Sequence, residues 1–472
     1  MPDTDLAFMP TAELRTRIAS KQLSPVEVTR LYLQRIEALD PQLNAYLTVA
    51  GDVALHLARD AEQAVMDGKP LGPLHGVPIS IKDLEVTRDI RTTLGCRIFE
   101  DTVPDLDTIV VERVRQAGAV ILGKTNTPEF GLLGTTENRL GDACRNPWNR
   151  ERTSGGSSGG AGAAVAAGLC SLATGSDGGG SIRIPSSFCG VYGIKPTQGR
   201  VPRYGGLGRP SIGQFSQSGP MARTVRDAAI LLQVLAGPDP RDAGCLPEMP
   251  PDFIADLDQG VRGLRLGWSA DFGYAAVDPH VAQVTAQAAR VFEALGGHVE
   301  DANVTLEDPF TAFWAIFSAN AYAGYGHLLE QQANQLTTYG RECIAHGASV
   351  SGADYARALL YVDQLRARFA ALIQTYDLLL TPTMAVPAFP IGQRPETIAG
   401  QAVHPFWGYL PFTFPINMIG HPAASIPCGF STDGLPIGLH IIGRRGDEAT
   451  VLRASAAFEQ ARPWADKRPP VS

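Results

Sequence analysis

Apolar residues near the N-terminus recur at helical spacing. Val28, Leu31, Tyr32 and Leu39 follow Ser24-Pro25-Val26-Glu27, which reads as a capping box with proline at the first helical position. Residues 1–65 are therefore expected to form a helical arm ahead of an α/β body over 66–472. From Leu74 the period changes. Gly76-Val-Pro-Ile-Ser-Ile-Lys82 and Ala119-Val-Ile-Leu-Gly123 are short apolar runs, and between them a helical pattern over 108–116 is closed by Gly118. Strand, helix and strand at these separations predict a βαβ unit and a parallel or mixed sheet. Thr224-x-x-Asp227 caps another helix, ended by Gly237. Pro238, Pro240, Pro247, Pro250 and Pro251 then mark a surface connection over about 237–262.

Beyond that connection, residues 264–268 read as a strand, and Asp278-Pro279 opens a helix that stops at Gly296-Gly297. Residues 305–376 are expected to be mostly helical and carry Phe310, Phe313, Trp314, Phe317, Tyr322 and Tyr325. Such a stripe is more often core than binding wall. Strands return over 377–381, 424–430 and 437–443, the last two joined by the turn Asp433-Gly434.

Composition narrows the function classes. Hydrophobic residues at 44% and charged residues at 19% are ordinary for a globular chain. The net charge of −8 argues against a nucleic-acid partner, since general affinity for polyanions comes from Lys and Arg. Seven scattered cysteines (96, 144, 170, 189, 245, 343, 428) without a Cys-x-x-Cys predict a reduced, cytoplasmic protein with no zinc cluster. Met1-Pro2-Asp3-Thr4-Asp5 lacks the basic-then-apolar order of a signal peptide. No run approaches about 18 apolar residues, so no membrane partner is expected.

The chemistry gathers in residues 153–181. Gly155-Gly-Ser-Ser-Gly-Gly160 precedes an Ala-rich helix, and Gly175-Ser-Asp-Gly-Gly-Gly-Ser181 follows it. A flexible linker would not lead into a compact helix and the apolar Ile182/Ile184 alternation. A phosphate loop would need a Gly-Lys-Ser/Thr that is absent here. Gly156-x-Ser158-x-Gly160 and Gly155-x-Ser157-x-Gly159 both fit a nucleophile elbow, and in so glycine-rich a segment the match says little. The run Gly178-Gly179-Gly180 lets a substrate approach the backbone closely and can present amides to an oxyanion beside the Ser181 hydroxyl. A serine needs a base, and none of the nine histidines lies in or beside this segment. Lys82, at the end of an apolar strand, becomes a base if burial lowers its pKa. Taken alone, a lysine at a strand end is more often an ordinary surface or ion-paired residue, and Asp83 is an available partner.

Thr153-Ser-Gly-Gly-Ser-Ser-Gly-Gly, Gly175 to Gly190 and Gly193-Ile-Lys-Pro-Thr197 together resemble the amidase signature. The likeness extends to Gly76–Asp83, Gly123–Phe130, Thr381-Pro-Thr383, Pro415-x-Asn417, Pro422–Gly429 and Gly434-Leu-Pro-x-Gly438, nearly the whole chain in order. The resemblance implies one α/β body with a large mixed central sheet surrounded by helices, and a Ser–cis-Ser–Lys triad needing no cofactor or metal. By position it assigns Ser181 as nucleophile, Ser157 as bridging serine and Lys82 as base. Gly178, Gly179, Gly180 and Ser181 match the oxyanion-hole amides, and Ser158, Asp177 and Arg183 match supporting residues. Two positions depart from the family: Gly178, where Thr or Ile is common, and His440, where Gln is common.

The implied activity is hydrolysis of a small-molecule amide, anilide, carbamate or related ester through an acyl-enzyme. A competing implication is the glutaminase subunit of a tRNA-dependent amidotransferase. In that subgroup an Asp that recognises glutamine precedes the Asn of Pro-x-Asn by seven positions, where this chain has Leu410. Phe310, Phe313, Trp314, Phe317 and Trp407 are candidate walls for an apolar or aryl substrate, and a homodimer is expected on frequency alone.

Overall fold

The apolar runs pair into an eleven-stranded mixed sheet in the computed structural model, which describes residues 3–204 and 215–472. Met1 and Pro2, at the start of the expected arm, lie outside the described residues. Across the sheet the strands run Tyr46–Val49, Val120–Thr125, Pro78–Lys82, Leu172–Asp177, Gln217–Ala222, Tyr192–Lys195, Ala423–Phe430, Pro436–Ile442, Leu378–Pro382, Arg265–Trp268 and His298–Asp301. Pro78–Lys82 is parallel to both its neighbours, with Ile79 opposite Leu172 on one side and Ile121 on the other. Tyr192–Lys195 and Ala423–Phe430 pair antiparallel and join the strands of residues 46–222 to those of residues 265–442 in one sheet. Helices cover both faces, which is why the central strands are buried on both sides. Among the described residues no helix is long and apolar enough to cross a membrane.

The two-residue period of a strand places the site. Ile79 and Ile81 point into the core cluster that contains Leu231 and Leu232 of the helix Val225–Leu235. Ser80 and Lys82 therefore point to the opposite face. There the helix Gly159–Ala166 packs so closely that a Cβ on Gly160 would lie 2.3 Å from the Asn126 amide nitrogen. At that position only glycine allows the approach, within a helix made otherwise of glycine, alanine and one valine.

Several expectations meet the structure directly. Thr108 precedes the helix Ile109–Gln116, and the Asp278 side chain accepts from His280 N and Val281 N to cap Pro279–Ala294. Three helices, Phe310–Gln332, Thr338–Ser349 and Gly352–Thr375, fill the segment expected to be helical.

Others are corrected. The arm is not wholly helical: Tyr46–Val49 is an edge strand antiparallel to Val120–Thr125. The Ser24 half of the capping box forms, but its hydroxyl donates to Glu62 (2.5 Å) and so ties two helices together. The proline-rich connection holds no helix or strand, yet Phe253, Leu257 and Val261 are buried in the core, so it is anchored. Ile182 and Ile184 flank the start of a helix, Arg183–Cys189, and do not alternate along a strand.

Candidate active site

Lys82 ends its strand fully buried, with Nζ donating to Ser157 Oγ (2.7 Å), Ser176 Oγ (3.0 Å) and the Ser176 carbonyl (3.2 Å). Burial disfavours its charged form and brings its pKa down to about 7, against the opposing pull of Asp177 and Glu85. Asp83, the neighbour that an ordinary paired lysine would use, faces away. It accepts from Thr93 N (3.0 Å) and lies 3.5 Å from Lys124.

The two glycine–serine segments meet beside Lys82. Gly155 has φ +77° and the Gly156–Ser157 peptide is cis, as the resemblance implies. Ser158 joins the segments: its N–H donates to the Ser181 carbonyl (3.1 Å), and its hydroxyl accepts from Ser176 N (3.3 Å). Ser157 and Ser181 line one cavity of about 210 Å³ with Gly178 and Gly179. Ser176, which the sequence reading does not single out, is the residue that holds the Lys82 amine in place.

Asp177 organises the turn before Ser181. Its carboxylate accepts from Gly180 N (2.7 Å), Ile182 N (3.2 Å), Arg183 Nε (2.9 Å) and Asn417 Nδ2 (2.9 Å). Burial alone would favour its neutral form. The charge and hydrogen bonds of Arg183, with Lys195 and Asn417, outweigh that and hold the carboxyl well below the usual carboxylate range. Arg183 also donates to Asn417 Oδ1 (2.6 Å) and to His440 Nε2 (3.0 Å). His440 is fully buried, and burial followed by the Arg183 charge keeps it neutral as an acceptor. The family departure at 440 thus supports Arg183.

The glycines divide into two kinds. The Gly180 amide is directed to Asp177, which removes it from the four expected oxyanion donors and leaves Gly178, Gly179 and Ser181. Gly180 has φ +131°, and a Cβ there would lie 2.4 Å from Thr413 Oγ1, so only glycine fits. At Gly178 a Cβ would come no nearer than 3.4 Å to Ser216, ordinary contact that leaves room for the side chain common in the family.

Of the five aromatic candidates, Phe317 and Trp407 line the cavity. Phe310, Phe313 and Trp314 do not line it and pack behind, with Phe313 5.0 Å from Trp407 between ring centroids. The sequence reading misses Phe130 and Phe215 as wall residues, and places Tyr325 only in a general stripe. Phe130 stacks on Tyr325 at 3.7 Å.

Arg183→Ala is expected to destabilise the fold by about 3–5 kcal/mol, because it strands a buried carboxylate without its cation. Denaturant unfolding would check this, and a loss under about 1 kcal/mol would show that Asn417 and the backbone amides suffice for Asp177.

A family profile described as Amidase matches residues 27–452. An acylamidase from Rhodococcus erythropolis is 38% identical, covering 99% of this chain and 98% of that protein. A glutamyl-tRNA(Gln) amidotransferase component from Moorella thermoacetica is 40% identical, over 98% of this chain and 99% of that one. The solved structure of a bacterial aryl acylamidase belonging to the amidase signature enzymes superposes with a TM-score of 0.92 at 34% identity, covering 97% of each chain.

Proposed function

We propose, from the premise that this chain belongs to the amidase family and is a hydrolase of carbon–nitrogen bonds other than peptide bonds, that it works alone on amides with an apolar or aryl part, through an acyl-enzyme on Ser181. Anilides, carbamates and related esters present a carbonyl to the same serine. The observation that carries the reading is the 2.7 Å bond from Lys82 Nζ to Ser157 Oγ, beside the cavity that Ser157 and Ser181 both line.

In this mechanism Ser181 Oγ attacks the carbonyl carbon as its proton passes to Ser157, whose own proton goes to neutral Lys82. The amides of Gly178, Gly179 and Ser181 receive the oxyanion, each well-placed donor contributing about 3–4 kcal/mol. The C–N bond then breaks as Ser157 gives a proton to the departing amine and takes one back from Lys82, which is neutral again. Water repeats the sequence on the Ser181 ester and releases the acid.

The second reading, a glutaminase subunit that works with partner chains, is favoured by the 40% identity to an amidotransferase component. Against it, position 410 holds a leucine buried among apolar residues, where glutamine recognition would place an Asp. The scattered cysteines support a reducing, cytoplasmic setting, and a homodimer is the assembly proposed.

Purified single chain separates the two readings. Acyl or aryl amides are expected to have a higher kcat/KM than glutamine. Each buried substrate methylene adds up to about 0.8 kcal/mol, so three carbons raise kcat/KM by as much as about 60-fold. A flat chain-length profile together with efficient glutamine hydrolysis would put the glutaminase reading first.

A further inference from the structure

The cavity lining includes a carboxylate that the mechanism does not use. Glu85 lies in the turn after Lys82, where its N–H donates to the Lys82 carbonyl (2.9 Å), and it is 8% exposed. Two hydroxyls hold its side chain: Ser218 donates to Oε1 (2.6 Å) and Thr108 to Oε2 (2.9 Å). Each carboxylate oxygen has two acceptor positions, so one hydroxyl apiece leaves capacity unfilled.

Among the described residues no cation forms an ion pair with this carboxylate. Lys82 and Lys124 feel its charge only at longer range, because their amines bond elsewhere: Lys124 Nζ donates to the Glu85 backbone carbonyl (2.6 Å), and Lys82 Nζ to Ser157 and Ser176. A carboxylate this buried is ordinarily matched by a cation or strong donors, because removing it from water is costly. Glu85 is also close to the reacting groups. Ser218, which fixes it, is the cross-strand partner of Ser176, which fixes Lys82, about one strand spacing of 4.8 Å away.

We infer that the Glu85 carboxylate anchors a cationic group of the substrate, so that preferred substrates carry a protonated amine in addition to an aryl or alkyl part. The inference rests on the hydrolase reading above. It adds a polar specificity to a cavity whose other walls include Phe130, Phe317 and Trp407. Among the described residues Arg203 is the other charged side chain lining the cavity, and it donates to the Ser216 carbonyl (3.1 Å). An anionic substrate arm would meet that residue, and the test includes one.

The experiment compares 4-nitroanilides of 3-aminopropanoate, butanoate and succinate, which differ only in an ammonium, methyl or carboxylate terminus. A second pair, butanoyl 4-(aminomethyl)anilide and butanoyl 4-ethylanilide, puts the ammonium on the leaving group. In at least one series the ammonium compound is expected to exceed its neutral match in kcat/KM by about ten- to hundredfold, the size of a hydrogen bond to a charged group. The gain is expected mainly in KM, and the ratio is expected to collapse toward one in Glu85→Gln.

Competitive inhibition of the unaltered enzyme by n-butylammonium against n-butanol gives the same comparison without a variant. The inference is overturned if the ammonium compound is preferred in neither series, or if Glu85→Gln keeps the ratio. Hydrolysis of the butanoyl anilides with no ammonium preference removes the inference and leaves the hydrolase reading standing. Failure of every anilide with turnover of glutamine removes the reading itself.

Discussion

Ser181→Ala is expected to abolish turnover, with a loss on the order of 10⁶-fold in kcat, the scale seen when an acyl-enzyme nucleophile is removed. The fold is expected to survive. Ser181 is 9% exposed, and its structural bond runs from Ser158 N to its backbone carbonyl, which alanine keeps. Melting temperature should therefore stay near that of the unaltered enzyme while activity disappears. An electrophilic serine probe such as a sulfonyl fluoride is expected to attach at Ser181, located by peptide mass spectrometry. Attachment at Ser157 or Ser158 would instead make one of the elbow patterns the nucleophile and overturn the assignment.

Removing the base is expected to be almost as severe. Lys82→Ala should cost several orders of magnitude in the acylation rate, and Lys82→Met, which retains the buried aliphatic stem, separates lost chemistry from lost packing. The pH dependence follows from the sign of the shift. A protonated lysine cannot accept a proton, so the active form is the one above its pKa. With that pKa lowered to about 7, kcat/KM is expected to rise about tenfold per unit below pH 7 and level off above it. Near-normal activity of the alanine variant at neutral pH would exclude Lys82 as the base, whereas a profile that keeps rising to pH 10 would show that its pKa stays near that of a free lysine, about 10.4.

How far the sequence carries depends on the kind of signal. Pro78–Lys82 and Asp278-Pro279 are legible because an apolar run or a cap motif is local, and local rules decide the outcome. Tyr46–Val49 is not, since four residues with only Tyr46 buried have no alternation to read, and their pairing with Val120–Thr125 is a tertiary event. Ile182 and Ile184 fit a strand period equally well as a short helix, and the Asp177 bonds to Ile182 N and Gly180 N choose the helix.

The candidate nucleophile, bridging serine and base are nameable through motif likeness, but the direction of each hydroxyl and amide is not. Gly180 shows this: its N–H, one of four equivalent in the sequence, goes to Asp177. Ser176 and Glu85 escape notice for a related reason. Their roles depend on strand parity and on hydroxyls at 157, 108 and 218, which no spacing rule connects. The aromatic wall draws on Phe130 and Phe215, both far from the stripe in 305–376 that composition emphasises.

Asn417 bonds to both Asp177 and Arg183, residues about 240 positions earlier, and the strand Ala423–Phe430 covers the edge of Tyr192–Lys195. This has a consequence for the order of events on the ribosome. Lys82, Ser157 and Ser181 are all synthesised in the first two-fifths of the chain, yet the turn that presents Ser181 lacks its partner until the last eighth emerges. At about 5–20 residues per second the interval is roughly 10–50 s, during which Tyr192–Lys195 offers an unpaired edge to any other nascent strand. A growing chain therefore carries every candidate catalytic group without being an enzyme, and a messenger cut short before codon 417 should yield a product that sediments with chaperones and hydrolyses nothing.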